Sequence, residues 1–188
     1  MTLKEMKIKV LSMIEEIDLD TEALTSDPDI EQKLHSVINQ VIFELARFKK
    51  IPDYIELEVS EGDTLTFEDI KDENGYEVYQ IDAVSGVEYE FKARGTVIKV
   101  LENGVLEIEY FRYPTRITDE TNENKYVFEL SDDALEVAVY GICADLLKSD
   151  ISAQYGNIYA ERYEALKNTL DSRYNMGMFT IEGGVSSL

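Results

Sequence analysis

The spacing of hydrophobic residues changes twice along this sequence, and that change constrains the fold more than any other feature. Between Tyr54 and Tyr113 apolar and polar residues alternate, as they do in strands with one buried face. Before and after this block, apolar residues recur three and four positions apart, which is the spacing of an amphipathic helix. The sequence therefore predicts an α+β chain in which a β-rich segment separates two helical segments.

Six short alternating runs make up the β-rich segment, with glycines between them. The glycines offer the positive φ that tight turns need. Asn103-Gly104 between two of the runs predicts a β-hairpin. Six strands of this length predict a small barrel or sandwich. The runs are 54–59, 64–67, 76–84, 87–91, 96–101 and 105–110.

Two helices are predicted before the strands. The first extends from Thr2 to Ile17, and Thr2 has capping-box spacing to Glu5. The second starts at Asp27, a favoured N-cap residue, with Pro28 at its first position. Both carry one apolar face, so both require packing partners.

Two more helices are predicted after a polar linker. Ser131 is placed to cap the third, and the fourth runs from about Ser152 to Gly177. The four helices predict one module that the strands interrupt as an insertion, followed by an extended C-terminal arm. We therefore divide the chain into two halves of a helical module, an insertion and an arm, with the boundaries 1–50, 51–114, 115–175 and 176–188.

The charge balance excludes several classes of partner. There are 18 basic and 39 acidic residues, so the net charge is −21. Such a chain repels polyanions, which argues against ordinary nucleic-acid binding and against adsorption to anionic membranes. No run approaches the ~20 apolar residues of a membrane span. Cys143 is the only cysteine, so no intrachain disulfide is expected, in keeping with synthesis in a reducing cytosol.

Residues that could carry catalysis or bind metals are present without the necessary spacing. His35, the only histidine, lies at the edge of a helix face, and no Gly-x-Ser-x-Gly motif accompanies it. Cys143 lies in an apolar helical stripe, which predicts a buried thiol. Residues 70–75 resemble part of a calcium loop, but Ile70 and Ile81 stand where ligands are required, which favours an acidic turn. We predict no enzyme, no metal site and no cofactor.

Pairs of glutamates recur along the predicted strands. Two residues that are two positions apart share one face of a strand, so each pair projects to the same side. Carboxylate pairs serve glycosidases, but their alternation with apolar residues favours a solvated outer face. The pairs are Glu56 with Glu58, Glu88 with Glu90, and Glu107 with Glu109.

Three tyrosines follow one face of the predicted fourth helix. Tyr155, Tyr159 and Tyr163 are each four residues apart and so form a single stripe. Such a stripe is typical of a core. A subunit interface is the other interpretation, since there the ring packs and the hydroxyl reaches water. Both interpretations stay open from the sequence.

Two stretches are informative as longer motifs. One is Glu109-Tyr110-Phe111-Arg112-Tyr113-Pro114, and the other begins at Leu130-Ser131-Asp132-Asp133-Ala134-Leu135-Glu136. The second continues through Tyr140-Gly141, residues 144–150, Tyr155-Gly156, Tyr159 and Tyr163. Across these stretches the chain resembles the head–tail adaptor (connector) proteins of tailed bacteriophages.

This resemblance implies a structural role in the neck of the virion, at the head–tail interface, after synthesis in the cytoplasm of the bacterial host. The partners would be further copies of the chain in a ring, with twelve-fold symmetry as the expectation, the portal protein, and a stopper or tail terminator. DNA would pass through the ring without specific binding, and no membrane would be involved. A C-terminal extension would grip the portal, with Met178, Phe179, Ile181 and Leu188 as contacts.

Two other classes remain open from the residues. An acidic inhibitor that mimics DNA would present its carboxylates on one continuous curved face and would stay monomeric or dimeric. An enzyme built on the β-rich segment would need a deep cleft with convergent carboxylates. If the protein is an adaptor, acidic faces that line the ring would repel DNA phosphates and keep the passage free.

Overall fold

A computed structural model of the chain describes residues 1–92, 96–148 and 153–170. These residues form a mixed α+β structure with five helices and two antiparallel sheets of three strands each. The elements in chain order are α1 (Leu3–Met13), α2 (Pro28–Leu45), β1 (Ile51–Val59), β2 (Thr64–Thr66), α3 (Phe67–Asn74), β3 (Val78–Ser85), β4 (Tyr89–Lys92), β5 (Val97–Val100), β6 (Gly104–Arg112), α4 (Asp132–Leu146) and α5 (Ala153–Lys167).

The first two helices begin where the sequence predicts. The Thr2 amide donates to the Glu5 carboxylate at 2.7 Å, and the Glu5 amide donates to the Thr2 hydroxyl at 3.2 Å, which confirms the capping box. Asp27 accepts from the amide of Asp29 at 2.8 Å. α1 ends at Met13 rather than Ile17, and the chain then turns through Glu15 with a φ of 61°.

The larger of two hydrophobic cores contains side chains from α1, α2, α4 and α5. α4 lies at its centre, because it packs against each of the other three helices. The buried residues of α4 occur around most of its circumference, as expected of a helix inside a core. Ser131 occupies the N-cap position of α4, but its side chain makes no capping hydrogen bond. The core includes Leu11, Ile38, Leu135, Ile142 and Tyr163.

The strands form two open sheets, ordered β1-β6-β3 and β2-β5-β4. The predicted small barrel is therefore wrong, since neither sheet closes on itself. Both sheets contribute to a second, smaller hydrophobic core, with Leu106 and Ile108 from one sheet and Ile98 and Val100 from the other. Alternate residues of β6 are buried in it, so the two-residue period of the sequence does identify the inner face.

The hairpin predicted at Asn103-Gly104 is also wrong. β5 and β6 flank this dipeptide but belong to different sheets. The Asn103 side chain accepts the amide of Glu61 at 2.7 Å, and Gly104 pairs with Val59 at the end of β1. The dipeptide therefore makes a corner between the sheets instead of a two-residue turn.

Helix α3 replaces the predicted acidic turn at residues 70–75 and shortens the strand predicted before it. Thr66 and Asp69 form a second capping box, with the Thr66 amide 2.6 Å from the Asp69 carboxylate. Gly75 ends the helix in the left-handed conformation, with a φ of 79°. Ile70 is fully buried in the strand core, so α3 covers that core.

Aromatic rings join the strands to the helices. The Tyr113 ring stacks on Phe43 of α2 at 5.0 Å and lies 4.9 Å from Tyr79 of β3. The Tyr79 hydroxyl donates to the carbonyl of Ala46 at 2.8 Å. These contacts hold the end of α2 against β3 and the residue that follows β6.

Arg112 forms the charged part of the same joint. Its guanidinium pairs with Asp53 of β1 at 2.6 Å and with Glu129, just before α4. It also lies over the ring of Tyr76, at 3.8 Å from the ring centroid. One side chain thus bonds β6 to β1 and to the segment that leads into the helical core.

Candidate interaction surfaces

One face of the β1-β6-β3 sheet is exposed and strongly acidic. Glu56 and Glu58 project from β1, and Glu107 and Glu109 project from β6, while the residues between them point into the strand core. Glu56 lies directly opposite Glu107, and Tyr54 lies opposite Glu109. We call these five residues the acidic sheet face. The prediction of a solvated outer face is confirmed for both glutamate pairs.

Hydrogen bonds order the acidic sheet face. The Tyr54 hydroxyl donates to the Glu56 carboxylate at 2.6 Å, and the Ser85 hydroxyl donates to Glu107 at 2.7 Å. The bond to Glu56 is the largest cause that raises the pKa of Tyr54 to about 12, and the charges of Glu107 and Glu109 add to the shift. Tyr54 therefore stays protonated across the physiological range and remains the donor to Glu56.

Within the ranges that the structure describes, no lysine or arginine forms an ion pair with Glu56, Glu58, Glu107 or Glu109. Like charges directly opposite each other destabilise a sheet. The third predicted pair differs, because Glu90 has Lys92 at 3.1 Å. The acidic sheet face is thus a concentrated negative surface that lacks internal compensation in that part of the chain.

The three tyrosines of α5 lie in three different environments. Tyr163 is buried, and its ring packs so closely on α4 that a Cβ at Gly141 would come within 2.8 Å of it. Tyr159 is half-buried, and its hydroxyl donates to the carbonyl of Met13 at 2.7 Å. Tyr155 is 64% exposed. Burial therefore favours the core interpretation for Tyr163, whereas exposure leaves Tyr155 as the candidate for a subunit interface.

A second stripe, which the sequence analysis did not single out, runs along the exposed side of α5. Tyr155, Ile158, Arg162 and Ala165 are all exposed and are spaced three, four and three residues apart, as in a helix-packing seam. We call these four residues the α5 outer stripe. Ile158 is 57% exposed, which is unusual for a side chain of its size. The spacing of three, four and three residues is visible in the sequence and could have identified this stripe.

A groove adjoins Tyr155 at the start of α5. It has a volume of about 420 Å³ and lies where α1 and α4 end. Its walls are partly apolar, and two exposed acids that follow α1 lie at its edge. Its lining includes Met13, Glu15, Glu16, Leu147, Tyr155 and Tyr159.

The environments of Cys143 and His35, the other candidates for reactive residues, are those of structural side chains. Cys143 is fully buried, and burial raises the pKa of its thiol to about 12. The thiol is therefore protonated at neutral pH, whereas a reactive cysteine needs a thiolate. The His35 ring lies 3.3 Å from Asp119 and 3.9 Å from Glu123. Among the described residues, no three of His, Cys, Asp and Glu are placed to hold a metal ion.

The C-terminal residues proposed to contact a portal lie outside the described residues; they are Met178, Phe179, Ile181 and Leu188. No described helix is both long enough and apolar enough to span a membrane.

Comparison with known protein families and with curated protein sequences finds no match to this chain.

Proposed function

We propose that this chain is a head–tail adaptor of a tailed bacteriophage, a structural protein with no chemistry of its own. In this proposal its copies form a ring in the virion neck, between the portal protein and a tail-side stopper or tail terminator. DNA passes through the ring without specific binding, and neither a cofactor nor a membrane takes part. The proposal builds on the resemblance carried by residues 109–114 and 130–163.

The acidic sheet face is the observation that supports this role best. A channel for DNA must not bind phosphates, and protein–DNA affinity comes largely from lysine and arginine on the phosphate backbone. Glu56, Glu58, Glu107 and Glu109 present only negative charge to solvent. If this face lines the channel, it repels the passing DNA.

The fold also offers a division of labour. We propose that residues 51–114 are an insertion in a helical module, because side chains from both ends of the chain share the core around α4. The helical module would then make the ring contacts, and the insertion would carry the acidic sheet face. Residues 176–188 would grip the portal as an extended arm.

Mass measurement of the chain, alone and mixed with the cognate portal, tests the adaptor directly. We expect a ring on the portal. A chain truncated after Gly177 should lose portal attachment while its helical circular dichroism signal stays the same, because the helical core lies before that residue. Failure of the full chain to join any portal ring contradicts the proposal, and attachment of the truncated chain contradicts the role of the arm.

A charge reversal tests the acidic sheet face. Changing Glu56, Glu58, Glu107 and Glu109 to lysine should slow DNA ejection from reconstituted heads, because the face would then attract phosphates. The matched control changes four exposed glutamates elsewhere to lysine, namely Glu22, Glu73, Glu102 and Glu120. Its net charge is identical, so equal ejection from both variants would place the face outside the channel.

The same face is the reason to retain a second candidate, an acidic inhibitor that mimics DNA. Neighbouring glutamates on one strand lie roughly 7 Å apart, and the two rows on β1 and β6 form one continuous acidic surface. Such an inhibitor would bind a nuclease or another DNA-binding enzyme tightly, and salt would weaken the complex. It would form no ring with a portal.

A further inference from the structure

The α5 outer stripe and the neighbouring groove present opposite charges on either side of an apolar centre. Tyr155 and Ile158 form the centre and are the two most exposed large apolar side chains of α5. Arg162 lies one turn beyond Ile158, and Glu15 and Glu16 lie beside the groove next to Tyr155. Arg162 forms no ion pair among the described residues and lies 6.0 Å from the Tyr140 ring.

Helix directions fix the order of these groups. α1 runs parallel to α4, since the Met1 amino group lies 4.0 Å from Asp132 at the start of α4, while the Val10 carbonyl accepts from Cys143 towards its end. α5 runs antiparallel to α4, since Tyr163 packs on Gly141 while Gly156 packs on Leu147.

The ends of α1 and α4 therefore meet the start of α5. Along α5 the order is then the acidic pair Glu15 and Glu16, the apolar pair Tyr155 and Ile158, and the basic Arg162.

We propose that this surface binds a second copy of the chain, with the two α5 helices antiparallel about a two-fold axis. Tyr155 of each copy then packs on the partner's Ile158. A two-fold interface must be complementary to itself, and a surface with an apolar centre between opposite charges meets that requirement.

Charge decides between the antiparallel and the parallel arrangement. With Tyr155 against the partner's Ile158, Arg162 extends about 6 Å past the partner's Tyr155, at 1.5 Å per residue. That position is the side on which the partner's Glu15 and Glu16 lie. A parallel pair would instead place Arg162 against Arg162 and the acids against the acids. The antiparallel pair alone brings unlike charges together.

The antiparallel dimer is proposed for the free protein in solution. It does not depend on the adaptor proposal. It would cover Tyr155 and Ile158 before any larger assembly forms. A contact built on one helix is small, so we expect a dissociation constant on the order of micromolar.

Sedimentation of the full chain between about 1 and 100 µM, a range that brackets a micromolar dissociation constant, tests the pair. We expect the mass to rise from one chain to two. Ile158→Asp should abolish the rise, and Val127→Asp, at a similarly exposed apolar residue outside the helices, should not. A single-chain mass throughout, or equal loss in both variants, overturns the proposal.

A charge swap tests the pairing itself. Arg162→Glu should weaken the dimer at least tenfold, and adding Glu15→Lys and Glu16→Lys to that variant should restore it. A surface that merely needs an arginine for folding would not respond to the second change. Absence of rescue therefore contradicts the contact between Arg162 and the partner's acids.

Thiol cross-linking tests the direction of the helices. In the antiparallel pair, two copies of Ile158→Cys lie near the axis, whereas two copies of Ala165→Cys are roughly 25 Å apart along it. A short cross-linker should join the first variant and leave the second as single chains. The native Cys143 is buried and serves as the unreactive background. Equal cross-linking of both variants would indicate a parallel pair and would overturn the proposal.

Discussion

The helical core and the acidic sheet face differ in whether their charged side chains are paired. In the helical core, Lys7 and Lys167 are almost fully buried, and each is paired with a carboxylate, Glu123 and Glu44 respectively. On the acidic sheet face, acids stand side by side in solvent with no cation from the described residues. Charge in the helical core thus holds elements together, whereas charge on the acidic sheet face opposes the pairing of β1 with β6.

The largest loss of stability is expected from a substitution in the helical core. Leu135→Ala should lower the free energy of unfolding by about 4 to 5 kcal/mol, because Leu135 is fully buried in the central helix and the packed helices around it cannot collapse into the cavity.

The matched change in the smaller core is Leu106→Ala, at a leucine that is also fully buried. We expect about 2 to 3 kcal/mol there, because α3 and open sheet edges can relax towards the cavity. Chemical denaturation followed by circular dichroism measures both. A larger loss in Leu106→Ala would reverse the ranking of the two cores.

The next substitution removes the ion pairs of Arg112, which join the strand segment to the helical core. Arg112→Met keeps the aliphatic stem but leaves Asp53 and Glu129, both partly buried, without their cation. We expect a loss of about 2 to 3 kcal/mol, below the value for a fully buried pair because both carboxylates retain some water.

We also expect the strand segment of the Arg112→Met variant to unfold before the helices, which would appear as two transitions in denaturation. Arg116→Met is the control, since Arg116 is exposed, its partner Glu77 is 3.9 Å away and its other contact is with the Phe43 ring, 4.7 Å from the centroid. It should lower stability by no more than about 1 kcal/mol. A single unchanged transition in Arg112→Met would show that the aromatic contacts suffice to couple the regions.

A smaller effect is expected at the helix that covers the strand core. Thr66→Ala removes both hydroxyl contacts of the α3 capping box and should cost about 1 kcal/mol. Ser131→Ala is the comparison, because the Ser131 side chain makes no hydrogen bond to the backbone of α4. Hydrogen exchange at the α3 amides should rise only in Thr66→Ala. Equal effects of the two changes would mean that the cap does not hold α3.

Local signals made parts of this fold predictable. The capping box of Thr2 with Glu5 and the Asp27-Pro28 start depend on neighbours within three residues, and both appear as expected. The same kind of signal marked α3, with Thr66, Asp69 and a C-terminal glycine. The alternation in residues 64–67 obscured it, because a strand pattern and a capping box overlap there.

Sheet pairing depends on distant residues, and the sequence does not encode it locally. The corner at Asn103 exists because its side chain accepts an amide 42 residues earlier in the chain. The tyrosine stripe shows the same limit. Spacing places Tyr155 and Tyr163 on one face, but only the packing of α1 and α4 decides that one is 64% exposed and the other 6%.

The smallest effect tests whether the acidic sheet face opposes its own sheet. Glu107→Gln removes the repulsion with Glu56 directly opposite but keeps an acceptor for Ser85. We expect the free energy of unfolding to rise by about 0.2 to 1 kcal/mol at low salt, and the gain to shrink at high salt. Glu22→Gln, an exposed acid elsewhere, should change it by less than about 0.5 kcal/mol.

The pKa of Tyr54 provides an independent readout of the same face. Its pKa is raised in the folded protein, so the stability that it contributes is fully present below pH 10 and is lost between pH 10 and about 12. Glu107→Gln removes one of the charges that raise this pKa, so the tyrosine should ionise at a lower pH in an absorbance titration. The hydrogen bond to Glu56 should keep its pKa above 10. If neither the free energy of unfolding nor the Tyr54 pKa changes, the glutamates do not repel one another, and the contrast between the compensated helical core and the uncompensated acidic sheet face fails.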